Sequence, residues 1–328
     1  MKALVTGGTG FLGSALCREL LNGGYHVRVL DSGWRERVAE DLIAEGVEVL
    51  AGDVRDASTV RKACEGCEVL WHLAYINGTR FFYEKPGEVL EVAIKGAVNT
   101  IDAATDAGVQ RYILASSSEV YQEPEHIPTD ESARLVVPDI KNPRYSYGGG
   151  KIASELLTMH YAKGKGLAGV IFRPHNFYGP NMGFEHVIPE VVRKIVTGSD
   201  GLQHAICGVP IQGDGRQTRA FCYIDDGVHG AVLAGEKGQP GEIYHVGTKE
   251  EVNIQELVAI IAQILGVSVE VIQEAEPPGA TRRRCPDVSK LESLGYQAKI
   301  SLREGLAKTV AWYAEYYLRQ IGRSRANG

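Results

Sequence analysis

The feature that most restricts how this chain can fold is the alternation of short apolar runs with helical patterns between residues 2 and 115. KALVT (2–6) leads into a glycine-rich turn, after which Leu12, Leu16 and Leu20 recur at helical spacing and Gly23-Gly24 ends the pattern. HVRVL ends in Asp31, VEVL (47–50) ends in Gly52-Asp53, and EVLWHLA (68–74) and RYILA (111–115) follow. VLEVAIKGAVNTIDAA, between the last two, is apolar on more than one face and long enough for a core helix. Each run is too short for a helix and each spacer is long enough for one. The alternation therefore predicts an α/β fold: a doubly wound parallel sheet covered by helices on both faces.

Past residue 172 the texture changes to segments rich in Pro, Gly and Asn, such as FRPHNFYGPNMG and CGVPIQGDGRQTRAF. A helix opens at Asn253 and closes at Gly266, and a last one opens with the capping box Ser301-x-x-Glu304. Its aromatic stripe, Trp312, Tyr313, Tyr316 and Tyr317, reads as packing. The closing RSRANG reads as a frayed tail. With 328 residues there is room for one large α/β domain and a smaller one.

A net charge of -6 with scattered basic residues gives no electrostatic reason to expect nucleic acid or an anionic membrane as partner. Arg282-Arg283-Arg284 is too short for a nucleic-acid patch and suits a single phosphate group. The N-terminal MKALVTGG reads as neither signal peptide nor anchor, and no apolar stretch reaches the roughly 18 residues of a membrane helix. Without an export signal the six cysteines predict no disulfide framework, and Cys64-Glu-Gly-Cys67 lacks the second ligand pair a zinc site needs. These features predict a cytoplasmic chain with no structural metal.

Two stretches carry chemistry. Thr6-Gly7-Gly8-Thr9-Gly10-Phe11-Leu12-Gly13 follows the first strand and opens the first helix, where glycines let a pyrophosphate approach the helix N-terminus. Asp31, at the end of the next strand, can accept hydrogen bonds from a ribose 2′-hydroxyl and would repel a 2′-phosphate, which selects NAD over NADP. Asp53 is placed to reach an adenine amine. The second stretch pairs Ser116-Ser117-Ser118-Glu119, at the exit of RYILA, with Tyr147-Gly-Gly-Gly-Lys151. Positions i and i+4 share a helix face, so a lysine ammonium there would stabilise a tyrosinate. Three glycines inside a helix cost about 1 kcal/mol each relative to alanine, which predicts something bulky against that turn, such as a nicotinamide or a sugar.

TGGTGFLG, Asp31, GDV (52–54), HLA (72–74), SSSEVY, YGGGK and RPHNFYGP, in this order, resemble an extended short-chain dehydrogenase/reductase, and more narrowly the NAD-dependent nucleotide-sugar epimerase/dehydratase family. The resemblance runs on through GDGRQTRAF to RRRCPDVSKLESLGY. It implies a Rossmann-type domain of residues 1–172 plus about 222–248 that holds NAD. A smaller α/β domain of about 173–221 plus 249–320 would hold the nucleotide sugar, leaving 321–328 as tail. Gly7, Gly10, Phe11, Leu12, Asp31, Asp53, Val54, Leu73, Ala74, Tyr147 and Lys151 would line the cofactor. Tyr147 would take the proton of the sugar C4 hydroxyl while hydride passes to NAD; Lys151 would lower the tyrosine pKa and Ser117 would hydrogen-bond the same oxygen. Asn176 and Arg219 would hold the diphosphate, joined by Arg283 or Arg284, with Thr79 near the sugar.

Glu119 would then act at C5, next to the new ketone. Family members that eliminate water across C5–C6 carry Thr-Asp-Glu or Thr-Ser-Glu at this place, those that decarboxylate a uronic acid carry Thr-Ser-Glu, and simple 4-epimerases have no carboxylate there. A 4,6-dehydratase is the first reading, with a 4-epimerase and a UDP-glucuronate decarboxylase beside it. A non-catalytic NAD-sensing protein is a remote fourth, which the complete Ser117, Tyr147 and Lys151 set argues against. The resemblance also implies a homodimer packed through helices near 89–105 and 147–163. Three positions depart from the pattern: Gln122 in place of glycine, Ala93 in place of asparagine, and His175 within RPHN.

Overall fold

Each apolar run becomes a strand of one sheet. A computed structural model of the protein describes residues 1–33, 35–275 and 281–326. The strands are β1 (Lys2–Thr6), β2 (His26–Asp31), β3 (Glu48–Ala51), β4 (Val69–His72), β5 (Arg111–Ala115) and β6 (Ala168–Pro174). The first helices are α1 (Phe11–Asn22), α2 (Glu36–Ala44), α3 (Ala57–Cys64), α4 (Thr79–Glu84), α5 (Pro86–Asp106) and α6 (Ser146–Leu156). A π-helical turn, Leu157–Ala162, prolongs α6.

The second half adds β7 (Phe177–Tyr178), α7 (Val187–Gly198), β8 (Ile206–Gln212), β9 (Thr218–Ala220), β10 (Cys222–Tyr223), α8 (Ile224–Lys237) and β11 (Ile243–Val246). It closes with β12 (Glu251–Asn253), α9 (Ile254–Leu265), β13 (Ser268–Glu274), β14 (Arg283–Arg284), α10 (Ser289–Glu292) and α11 (Leu302–Ala326).

Among the described residues seven strands form the main sheet in the order β11-β6-β5-β4-β1-β2-β3, all parallel. The order reverses between β1 and β4, and ligands of such sheets bind at that switch point, outside the carboxyl ends of the strands. The strands are buried on both faces because helices cover both: Val5, Val29 and Trp71 belong to one core, Leu4, Leu30 and Leu70 to the other. Smaller sheets, β12-β9-β14, β13-β8 and β10-β7, are built from the second half of the chain.

The caps agree with the sequence. Asn253 and Glu256 form a reciprocal capping box, Gly266 closes α9 at φ +70°, and Ser301 and Glu304 cap α11. Tyr313 and Tyr317 are buried and their rings gather around Phe184, so the aromatic stripe packs. The expected tail is a correction: residues 321–326 continue α11, and 327–328 lie outside the described residues. The six cysteines are unpaired and buried. Among the described residues no helix is long and apolar enough to cross a membrane, and no group of three or more His, Cys, Asp or Glu is placed to hold a metal ion.

Candidate active site

β1 ends in Thr6, whose hydroxyl meets His72 Nδ1 at 2.8 Å and accepts the backbone N–H groups of Leu73 and Ala74 at 3.2 Å each. The turn that follows is tight. Gly7 has φ +73°, and a Cβ there would stand 2.8 Å from the Ala74 backbone; one at Gly13 would stand 2.1 Å from the Gly7 carbonyl. The N-terminus of α1 has no side-chain cap and no acidic residue in its first turn, so its N–H groups are open to an anion. Asp31 accepts the Thr9 N–H at 3.0 Å and the Gly33 N–H at 3.1 Å, which fixes its carboxylate at the rim of that turn. A dinucleotide with a free ribose 2′-hydroxyl fits this donor and acceptor set.

Asp53 is engaged elsewhere. Arg55 clamps its carboxylate at 2.6 to 3.0 Å and extends to Glu91, and this clamp keeps Asp53 below the usual aspartate range. Val54 is buried, and its carbonyl accepts from Asn99. Phe11 and Leu12, in the first turn of α1, are partly buried against the larger core.

β5 delivers Ser116 to Glu119 to the carboxyl edge of the sheet. Ser117 Oγ accepts the Glu119 N–H at 3.1 Å and starts a 3-10 turn over Ser118–Val120. The Glu119 carboxylate meets the guanidinium of Arg284. Burial alone would raise the Glu119 carboxyl, but the charges of Arg284, Arg144 and Arg219 outweigh it and hold the group below the usual glutamate range. Arg283 turns the other way. Its fork closes on Glu251 at 2.6 and 2.8 Å, because successive side chains of a strand leave opposite faces.

Tyr147 and Lys151 lie one turn apart on α6, both buried. Lys151 Nζ donates to the Ala115 carbonyl at 2.6 Å and sits 3.9 Å from the centre of the Tyr75 ring. Burial pushes the Tyr147 phenol up to about 12, against a lowering from Ser117, with the Glu119 charge raising it further. Burial pushes Lys151 down to about 7, against Glu155. Desolvation prevails over both groups.

The glycines of YGGGK also need a different reason. A Cβ at Gly150 would stand 2.2 Å from Tyr75 Oη and 2.9 Å from Ala93 Cβ, and one at Gly148 would stand 2.8 Å from Gln122 Nε2 and 3.1 Å from the Glu119 carbonyl. The bulk against this turn is the protein itself, and Ala93 is small for the same contact. Gln122 has φ +55°, the left-handed backbone that glycine adopts most easily, and its amide donates to the Glu119 carbonyl at 2.5 Å.

Among the other expected substrate residues, Asn176 donates to the Ala220 carbonyl at 3.1 Å, and Arg219 donates to the Thr218 and Thr281 carbonyls at 2.7 Å each. Burial and the neighbouring charge of Arg284 push Arg219 down to about 10. Thr79 is exposed at the start of α4, which borders the site through Phe82, stacked on Tyr147 at 4.8 Å. Sequence reasoning missed Tyr75, Phe82 and Arg144. Arg144 stands three residues before Tyr147 in the same motif, and that proximity was a usable signal.

Beneath the site, Glu155 accepts from Arg173 at 2.6 and 2.8 Å and from the Ser116 hydroxyl. Tyr121 contacts Arg173 and meets His245 Nε2 at 2.6 Å, while His175 packs on His245 at 4.5 Å and burial keeps its ring neutral.

Residues 3–247 match the NAD dependent epimerase/dehydratase family. The chain belongs to that family, and is an NAD-dependent enzyme of nucleotide-sugar chemistry. It is 31% identical over 326 residues to a UDP-N-acetyl-alpha-D-glucosaminuronate decarboxylase of Bacillus cytotoxicus, with 96% of this chain and 98% of that protein covered. The crystal structure of a dTDP-glucose 4,6-dehydratase from Streptomyces venezuelae with NAD bound superposes with a TM-score of 0.84 at 32% identity, over 96% of this chain and 97% of that one. A UDP-glucose 4-epimerase of Thermotoga maritima, in complex with UDP-glucose, also gives 0.84 at 26% identity, over 96% and 99%. These similar proteins carry out three different chemistries at comparable likeness to this chain.

Proposed function

We propose that the protein oxidises C4 of a nucleotide-activated sugar to a ketone and that Glu119 then moves a proton at C5. The observation that carries this reading is the convergence of Ser117, Glu119 and Tyr147 at the carboxyl edge of β5: Tyr147 is hydrogen-bonded by Ser117 and feels the charge of Glu119. NAD, when bound, supplies the acceptor for the C4 hydride. Gly7 and Gly10 shape the turn that brings its pyrophosphate to the α1 terminus, and Asp31 receives the ribose.

Tyr147 takes the C4 hydroxyl proton as phenolate. Ser117 favours that phenolate by donating to it. Lys151, pushed down to about 7 by burial, stands one turn from Tyr147 on the same helix, where its charged form favours a phenolate. Glu119, ionised because three arginines surround it, is a base in waiting beside C5. Asn176 and Arg219 hold the diphosphate.

Two outcomes use Glu119. With a hydroxyl at C6, removal of the C5 proton expels the C6 hydroxyl as water and leaves a C5–C6 double bond beside the ketone; return of the hydride taken from C4, now to C6, and of a proton to C5 then gives a 4-keto-6-deoxy sugar, as in the 4,6-dehydratases. With a carboxylate at C6, the C5–C6 bond breaks, its electron pair enters the C4 ketone as an enolate, carbon dioxide leaves, C5 takes up a proton in its place, and the hydride taken from C4 in the first step can return there. A 4-epimerase has no use for Glu119.

The test is to incubate the NAD-loaded protein with UDP-, GDP-, dTDP- and CDP-sugars in deuterated water and follow the products by NMR. Deuterium at C5 is the expected result, lost in Glu119→Gln; inversion at C4 without label at C5 would refute the role of Glu119. Turnover surviving in Tyr147→Phe would refute the catalytic assignment as a whole. We propose also a homodimer through α5 and α6, where Leu90, Ile94 and Leu156 are exposed apolar side chains. Sedimentation of Leu156→Glu as a monomer is the expected result.

A further inference from the structure

Lys151 is a buried ammonium with little to hold its charge. Among the described residues it donates one hydrogen bond, to the Ala115 carbonyl at 2.6 Å, and forms no ion pair. The titratable groups that face it from its own and neighbouring elements offer no free anion. Glu155, one turn further along α6, is committed to Arg173 and the Ser116 hydroxyl. His72 on β4 is kept neutral by burial, Tyr147 is a neutral phenol, and Glu119 closes on Arg284. A cation so placed is unfavourable unless something else compensates it.

The compensation comes from the loop after β4. Tyr75 lies under the ammonium, with Lys151 Nζ 3.9 Å from the centre of its ring. At that distance the ring quadrupole attracts a cation, and the attraction grows where water is excluded. The ring is fixed in place. It stands edge-on to the Tyr147 ring, with centres 5.1 Å apart and planes at 79°, and its hydroxyl donates to the Tyr147 carbonyl at 3.3 Å. Gly150 and Ala93 are small where Tyr75 passes: a Cβ at Gly150 would stand 2.2 Å from Tyr75 Oη and 2.9 Å from Ala93 Cβ. Burial raises the Tyr75 phenol well above its ordinary value, so the ring stays neutral. The glycine of the helix, the alanine opposite and the tyrosine of the loop thus combine to put one aromatic face against one ammonium.

We propose that Tyr75 is a positioning residue of the C4 oxidation: the face of its ring keeps Lys151 charged and docked one turn from Tyr147, where that charge favours the phenolate. This rests on the reading of Tyr147 as the base given above and adds to it a residue outside the Ser117, Tyr147 and Lys151 set.

The experiment changes the electrons of the ring without changing its shape. Tyr75 is replaced by phenylalanine, by a ring-fluorinated phenylalanine and by leucine, and thermal unfolding of the cofactor-free protein is followed from about pH 5.5 to about pH 8.5. A cation–π contact at a dry site corresponds to about one pKa unit of Lys151. Weakening it drops the folded value further below the unfolded one, so the window in which stability rises with pH extends down from about 7 to about 6. The fluorinated ring and Tyr75→Leu are expected to show that extension, Tyr75→Phe is not, and none of the three shows it in a Lys151→Met background. A fluorinated ring that behaves as the plain one, or an extension that survives Lys151→Met, overturns the proposal.

Turnover gives the second readout, with whichever UDP-, GDP-, dTDP- or CDP-sugar the NAD-loaded protein oxidises. In the fluorinated variant kcat at neutral pH is expected to fall about 10-fold with KM within about 2-fold, and Tyr75→Phe to restore most of the loss. Equal kcat for the fluorinated and plain rings overturns the proposal. Absence of oxidation in the unaltered protein would refute the reading beneath it, and the unfolding series then decides the contact of Tyr75 with Lys151 by itself.

Discussion

Arg284 closes on the carboxylate of Glu119 across 165 positions of sequence, joining β14 to the loop that leaves β5. The pair holds the carboxyl of the candidate base below the usual glutamate range, and it links the smaller sheet to the larger one at the carboxyl edge of β5.

Removing the carboxylate separates the two halves of the chemistry. Glu119→Gln is expected to reduce product formation by about 10²- to 10⁴-fold, the usual contribution of a general base. Oxidation at C4 should persist, read as transient absorbance of the reduced cofactor. Loss of that transient together with product would place Glu119 in the first step.

The pH dependence of this base follows from its arginines. Glu119 has a folded pKa below its unfolded value, so its stabilisation is present above the unfolded value and is lost as pH falls through the folded one. Arg284→Met should raise the Glu119 pKa and move the acid limb of the pH–rate profile upward. An unmoved limb would show that the pair does not control the base.

Lys151 makes the opposite contribution to stability. Its pKa falls from 10.5 to about 7 on folding, so the unfolded chain binds the extra proton between those values and stability rises with pH across that window. Cys17, Cys64 and Cys222, raised from 9.0 to about 12, act in the other direction at higher pH. Thermal unfolding between pH 7 and 8.5 should therefore show a rising midpoint, and Lys151→Met should flatten it.

The buried pair Arg173 and Glu155 gives a purely structural prediction. Both side chains are almost fully enclosed, and removing one leaves the other charged and unpaired. Arg173→Met is expected to destabilise the protein by about 3–5 kcal/mol in denaturant unfolding. A loss below about 1 kcal/mol would mean that water or a rearranged partner reaches Glu155.

Neighbouring glycines of one motif should respond in opposite directions. At Gly149 the nearest atom to an added Cβ is 3.6 Å away, so Gly149→Ala should stabilise α6 by about 1 kcal/mol. At Gly150 the added methyl meets Tyr75 and Ala93, and Gly150→Ala should destabilise by about 1–3 kcal/mol while displacing Tyr75 from Lys151. The same sign at both positions would return the motif to the ligand-based explanation.

The doubly wound sheet, the glycine-rich turn against α1 and the capping boxes of α9 and α11 were legible in the sequence, because each depends on residues within a few positions of one another. Periodicity reports which face is buried, and caps and turns are local chemistry. The partners of long side chains were not legible. Nothing in Arg282-Arg283-Arg284 says that Arg283 turns to Glu251 and Arg284 to Glu119, since strand parity and the packing of β14 on β9 decide it. Nor does the YGGGK motif say that its glycines face Tyr75 and the Glu119 loop, or that burial pushes its phenol and its ammonium in opposite directions. Those outcomes depend on the distances between segments that only the closed structure brings together, and on the water it excludes from between them.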